Sequence, residues 1–63
     1  MAKLRYFENN DKPKEIVGTQ ADIFKMGAEL HAAGVEQTWV EFDDGQTMYC
    51  WTNDLGGVDF RFE

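Results

Sequence analysis

The sequence predicts an α+β domain: an antiparallel sheet of four to five strands with one α-helix packed on one face, in the order β-β-α-β-β-β. Three observations predict it. Residues 20–33 carry apolar side chains at helical spacing between a capping pair and a glycine stop, short alternating or apolar runs flank that stretch, and turn-forming residues separate the runs. With 63 residues the chain holds one compact domain, 1–63, because a chain of this size buries only about 60% of its unfolded surface. Hydrophobic residues at 43% and aromatic residues at 14% are enough for a core and too many for a disordered acidic tail.

The first run, Ala2 to Glu8, alternates, with Leu4 and Tyr6 on one side and Lys3, Arg5 and Phe7 on the other. Asn9-Asn10-Asp11-Lys12-Pro13 ends it as a turn, since Pro13 has no amide to give to a ladder. The apolar pair Ile16-Val17 then reads as a brief second strand. Thr19 with Asp22 three residues on resembles a capping box, and Gly34 supplies a left-handed stop, which predicts a helix over 20–33. At about 100° per residue Ile23, Phe24, Gly27, Leu30 and His31 share the side facing the sheet, opposite Asp22, Lys25 and Glu29. Gly27 costs the helix about 1 kcal/mol relative to Ala, a cost explained by close approach to a bulky sheet residue.

Glu36 to Phe42 and Gln46 to Thr52 are strand-like runs around the hairpin signal Asp43-Asp44-Gly45. A two-residue turn would group Val40, Phe42, Tyr49 and Trp51 on one face; a three-residue loop with Gly45 at the bulge groups Val40, Phe42, Met48 and Cys50 instead. The second register is preferred because it makes one apolar inner face and turns Trp39, Tyr49 and Trp51 outward beside Glu41 and Gln37. Asn53-Asp54-Leu55-Gly56-Gly57 reverses the chain into a last strand, in which Val58, Phe60 and Phe62 point in and Asp59, Arg61 and Glu63 point out.

Charge carries the functional information. Twelve acidic and six basic side chains give a net charge of −6, which disfavours direct binding to nucleic-acid phosphates. The basic residues gather early, at Lys3, Arg5, Lys12 and Lys14, whereas residues 26–60 hold Glu29, Glu36, Glu41, Asp43, Asp44, Asp54 and Asp59 with no Lys or Arg between them. Spread along a face of roughly 25 Å, these acids would recur every ~3.5 Å, close to the ~3.4 Å between charges on one DNA strand. They are either a solvated surface or a phosphate-like row fitted to a basic groove.

Chemistry beyond charge has little support. Cys50 is the sole cysteine, so a disulfide framework and a thiolate metal site are both excluded. His31 and Cys50 fall on inner faces, where the expected role is packing and not a nucleophilic pair. The acids match no calcium-loop pattern, and Gly56-Gly57 precedes a strand and not a helix, which argues against a phosphate cradle. No catalytic residue, metal or cofactor is therefore expected. Absence of an apolar run of about 18 residues makes a soluble, cytoplasmic protein the expectation, with no membrane partner. Trp39, Tyr49 and Trp51 resemble a stacking platform for single-stranded nucleic acid, but the missing cations point to a protein partner or to a second small core under the N-terminal segment.

In its size, its uncompensated acids from Glu29 to Asp59, and the order around TQADIFKMGAELHAAG and VEQTWVEFDDGQTMYCW, the chain resembles the anti-CRISPR proteins. These are small acidic inhibitors encoded by bacteriophages. The resemblance is one of kind and carries no shared motif; the basic N-terminal segment departs from a uniformly acidic mimic. It implies a non-enzymatic inhibitor in the bacterial host that blocks the DNA site of a basic effector subunit. The partner-binding set expected on that reading is Glu36, Glu41, Asp43, Asp44, Asp54 and Asp59, with Trp39, Tyr49 and Trp51 as apolar anchors. A regulatory or structural module that binds a protein through its aromatic sheet face, or forms a homodimer through that face or an edge strand, is the alternative, and monomer and homodimer are both open.

Overall fold

The computed structural model describes residues 1–8 and 12–63. Its strands are β1 (Ala2–Tyr6), β2 (Lys14–Gly18), β3 (Gln37–Glu41), β4 (Thr47–Thr52) and β5 (Val58–Phe62), with the helix α1 (Gln20–Ala32) between β2 and β3. Together they make the expected α+β fold, a five-stranded antiparallel sheet in the order β2-β1-β3-β4-β5. The first strand stops at Tyr6, two residues short of the expected end, and the second is longer than the Ile16-Val17 pair. Of the expected turn after β1, Asn9, Asn10 and Asp11 lie outside the described residues.

Both β2 and β3 pair antiparallel with β1, so they run parallel to each other with β1 between them. The helix is the crossover that joins them, and it packs across β1, β2 and β3. Its start is capped as the sequence predicts: the Thr19 side chain accepts the Asp22 amide at 3.1 Å. At its end Gly34 takes φ +109°, and the Val35 amide reaches back to the Leu30 carbonyl at 3.0 Å. The inner face of the sheet supplies Leu4, Tyr6, Val40, Met48 and Cys50 to the core, which Ile23 of the helix closes.

The β3–β4 hairpin takes the three-residue loop. Val40 faces Met48 and Thr38 faces Cys50 across the ladder, the Phe42 amide donates to the Gln46 carbonyl at 2.9 Å, and Gly45 sits at φ +87°. Core parity along both strands follows from that loop length.

β5 departs from expectation. Val58, Phe60 and Phe62 lie on the inner side, opposite Thr52, Cys50 and Met48, yet they are 45%, 62% and 53% exposed and stay outside the core. The cause is the helix footprint. A crossover joining β2 to β3 lies over β1, and β5 is three strands further on, about 14 Å away at ~4.8 Å per strand, beyond the reach of a helix about 10 Å wide. Phe24, on the flank of the helix nearest that gap, is likewise 44% exposed and meets Phe42 edge to face at 6.1 Å.

Candidate functional site

The outer face of the sheet is where the sequence placed its aromatic anchors, and the hairpin register delivers them there. Trp39 pairs across the ladder with Tyr49, and Trp51 follows two residues along β4 on the same side. The three rings stack in series, with centroids 5.3 Å apart at each step and planes 27° apart. Phe7 closes one end of the row edge-on to Trp39 at 5.8 Å, and the Arg61 guanidinium lies 5.6 Å from the Tyr49 ring centre. Stacking leaves the trio half-buried, so the rings are ordered against one another while one flank faces solvent.

The six expected acids do not form one row. Glu41, Asp43 and Asp44 lie at the end of β3 and in the loop that follows. Glu36, Asp54 and Asp59 gather at the opposite end, where the Glu36 carbonyl accepts the Thr52 amide at 3.0 Å and Asp59 faces Trp51 across the ladder. The length of β3, about 15 Å, separates the two groups. Nor are all six uncompensated, because the sheet order sets β1 beside β3. Arg5 reaches Glu41 at 4.0 Å and Glu15 at 3.6 Å, and the N-terminal amine meets Asp43 at 2.5 Å. A stretch without Lys or Arg in sequence thus acquires cations from a strand that is remote in sequence.

Two shallow hollows flank the ring row. One is lined by Glu36 and Asp54 together with Tyr49 and Trp51, and among the described residues no cation lines it. The other, on the β1 side, mixes Lys3, Arg5 and Glu41 with Phe7 and Trp39. The Asn53 side chain fixes the loop beside the acidic hollow by accepting the Leu55 and Gly57 amides at 3.0 and 2.9 Å, while its Nδ2 donates to Asp59 at 3.3 Å. Acid and ring thus share a wall in the first hollow, an arrangement suited to an arginine or lysine head group.

Comparison with protein-family models, curated proteins and solved structures finds no match to this chain.

Inside the fold, His31 and Cys50 meet through Thr38, a residue the sequence analysis did not single out. His31 Nε2 and Thr38 Oγ1 share a 3.0 Å hydrogen bond, and Thr38 is the cross-strand neighbour of Cys50. Burial lowers the His31 pKa from its ordinary value, against a smaller opposing effect of the Val35 backbone. Burial pushes the Cys50 thiol up, against a smaller opposing effect of the Thr38 hydroxyl. A neutral imidazole beside a protonated thiol is the reverse of what an activated thiolate needs. Among the described residues no group of three or more His, Cys, Asp and Glu side chains is arranged to hold a metal ion. Among those residues, too, no helix is long and apolar enough to cross a membrane.

Sequence reasoning missed the flanking roles of Arg5 and Arg61 and the bridging role of Thr38. Outward parity was readable for both arginines. Their neighbours were not, since they depend on which strands pair.

Proposed function

We propose that this protein is a non-enzymatic, anti-CRISPR-like inhibitor that docks its outer sheet face on a basic, nucleic-acid-binding protein and occludes the site where that partner holds DNA. The observation that carries the reading is the hollow in which Glu36 and Asp54 adjoin Tyr49 and Trp51. An arginine that would otherwise hold a phosphate gains there both carboxylates and an aromatic face. Trp39, Tyr49 and Trp51 form the apolar centre of the contact, and Asp59 and Glu41 lie beside it, the division between anchors and polar rim typical of protein interfaces, whereas Asp43 and Asp44 line a hollow with Phe42, Phe62 and the start of the helix. Mimicry on this reading is local, an acidic pocket beside rings and not a continuous copy of a phosphate row, because the acids fall in two groups about 15 Å apart. The buried, protonated state of Cys50 supports the non-enzymatic part of the reading.

The test is capture of partners from bacterial lysate on tagged protein, with and without excess duplex DNA. A retained basic nucleic-acid-binding protein that DNA displaces, and that Glu36→Lys with Asp54→Lys fails to retain, is the expected result. Retention indifferent to both DNA and the charge reversal overturns the reading.

A further inference from the structure

The open edge of the sheet at β5 points to a second copy of this chain. The Asn53 amide bonds the Gly57 carbonyl at 2.9 Å and the Glu63 amide bonds the Thr47 carbonyl at 2.8 Å. Hydrogen-bonded positions alternate along an antiparallel ladder, so between these two the backbone groups of Asp59 and Arg61 turn toward β4, while those of Val58, Phe60 and Phe62 turn to the open edge. Those same three residues carry the exposed apolar side chains left uncovered by the helix. Phe62 extends the patch inward, 6.1 Å from Phe42, and Phe60 meets Phe62 edge-on at 6.2 Å. The strand itself, Val58–Phe62, carries neither Pro nor Lys to blunt its edge.

We infer that two copies join β5 to β5 antiparallel about a two-fold axis at Phe60, making one ten-stranded sheet. Charge selects this register. With Phe60 opposite its counterpart, Asp59 faces Arg61 of the second copy, and the symmetry makes that pair twice, while Val58 faces Phe62. Sliding by one hydrogen-bonding step either way sets Asp59 against Asp59 or Arg61 against Arg61, and the second slip also sets Asp59 against Glu63. Only the centred register pairs all five residues of β5 with every facing charge opposite in sign. Because the axis is perpendicular to the sheet, both phenylalanine patches fall on one side, where they form a shared apolar floor between the two helices. The aromatic row on the other side stays open, and of the residues in the proposed inhibitor contact only Asp59, at its rim, takes part in the dimer.

Sedimentation equilibrium over a concentration series, with amide hydrogen exchange at both ends of the series, tests it. The expected result is a concentration-dependent dimer in which the Val58, Phe60 and Phe62 amides exchange more slowly as it forms. Arg61→Asp should weaken the dimer about tenfold by setting like charges face to face twice, and the double variant Asp59→Arg with Arg61→Asp should restore it. Circular dichroism of each variant checks that the monomer folds. A folded chain that stays monomeric overturns the proposal, whether or not its edge accepts a strand from another protein. A dimer that ignores Arg61→Asp, or that the charge exchange fails to restore, overturns the register.

Discussion

A Cβ placed on Gly27 would lie 3.3 Å from Cδ1 of Leu4. Leu4 is fully buried at the centre of β1, and α1 crosses directly above it, so the glycine sets how closely the helix sits on the sheet. The neighbour is the end of a side chain beside a cavity of about 160 Å³, which both residues help to line. Leu4 can therefore yield by a few tenths of an ångström. Gly27→Ala should leave stability within about 1 kcal/mol of the parent, the helix-propensity gain offsetting the tighter contact. Gly27→Leu should cost about 2 kcal/mol or more by overpacking. Urea denaturation of both variants checks the pair, and equal losses would mean that helix and sheet do not meet here as closely as the geometry states.

Thr38 is 1% exposed and shares its hydroxyl with His31. Thr38→Val keeps the shape and deletes the partner, leaving imidazole nitrogen buried without a hydrogen bond, at a cost of about 1–3 kcal/mol. Thermal unfolding measures it. Thr47→Val, on a half-buried outer position, is the control and should move stability by less than 1 kcal/mol.

The same histidine makes stability depend on pH. Its folded pKa is held by burial below the ordinary 6.5, so in the interval between the two values the unfolded chain binds the proton and the folded chain does not. The unfolded state then takes up more protons, and stability rises with pH. Its contribution is fully present above pH 6.5 and is lost as pH falls through the folded pKa. His31→Gln should flatten the pH dependence of the unfolding midpoint below 6.5, and an unchanged slope would assign that dependence to other groups.

Cys50 is buried, with its thiol pushed toward the protonated form. Reaction with a thiol reagent at neutral pH should be slow in the native protein and should follow global unfolding as urea is added. Rapid labelling of folded protein would contradict the burial and reopen a thiol chemistry.

Gly45 holds φ +87° at the bulge of the hairpin loop. Gly45→Ala should cost about 1–2 kcal/mol, because a Cβ is unfavourable in the left-handed region. The ring row reads the register directly. Trp39, Tyr49 and Trp51 should retain their near-ultraviolet circular dichroism in this variant, and loss of that signal with the secondary structure intact would mean that the loop had reset the pairing.

The hydrophobic pattern, the Thr19 cap and the Gly34 stop determined the helix by themselves, since these signals act within a turn or two of chain. At Asp43-Asp44-Gly45 the sequence allowed two loops, and an apolar inner face only favoured the three-residue one; the strand pairing decided that register, and with it the outward side of Trp39, Tyr49 and Trp51. Alternation in Val58–Phe62 told which side of the sheet each residue takes, but only the tertiary structure decided that this side is uncovered there, because a helix joining β2 to β3 must lie over β1. The charges divide the same way. Seven acids without a cation are a property of the sequence between residues 26 and 60, whereas the pairing of Glu41 with Arg5 belongs to the fold, which sets β1 against β3. Local signals report what a residue does to its own backbone; neighbours across a sheet are chosen by strand order, which no short stretch of chain contains.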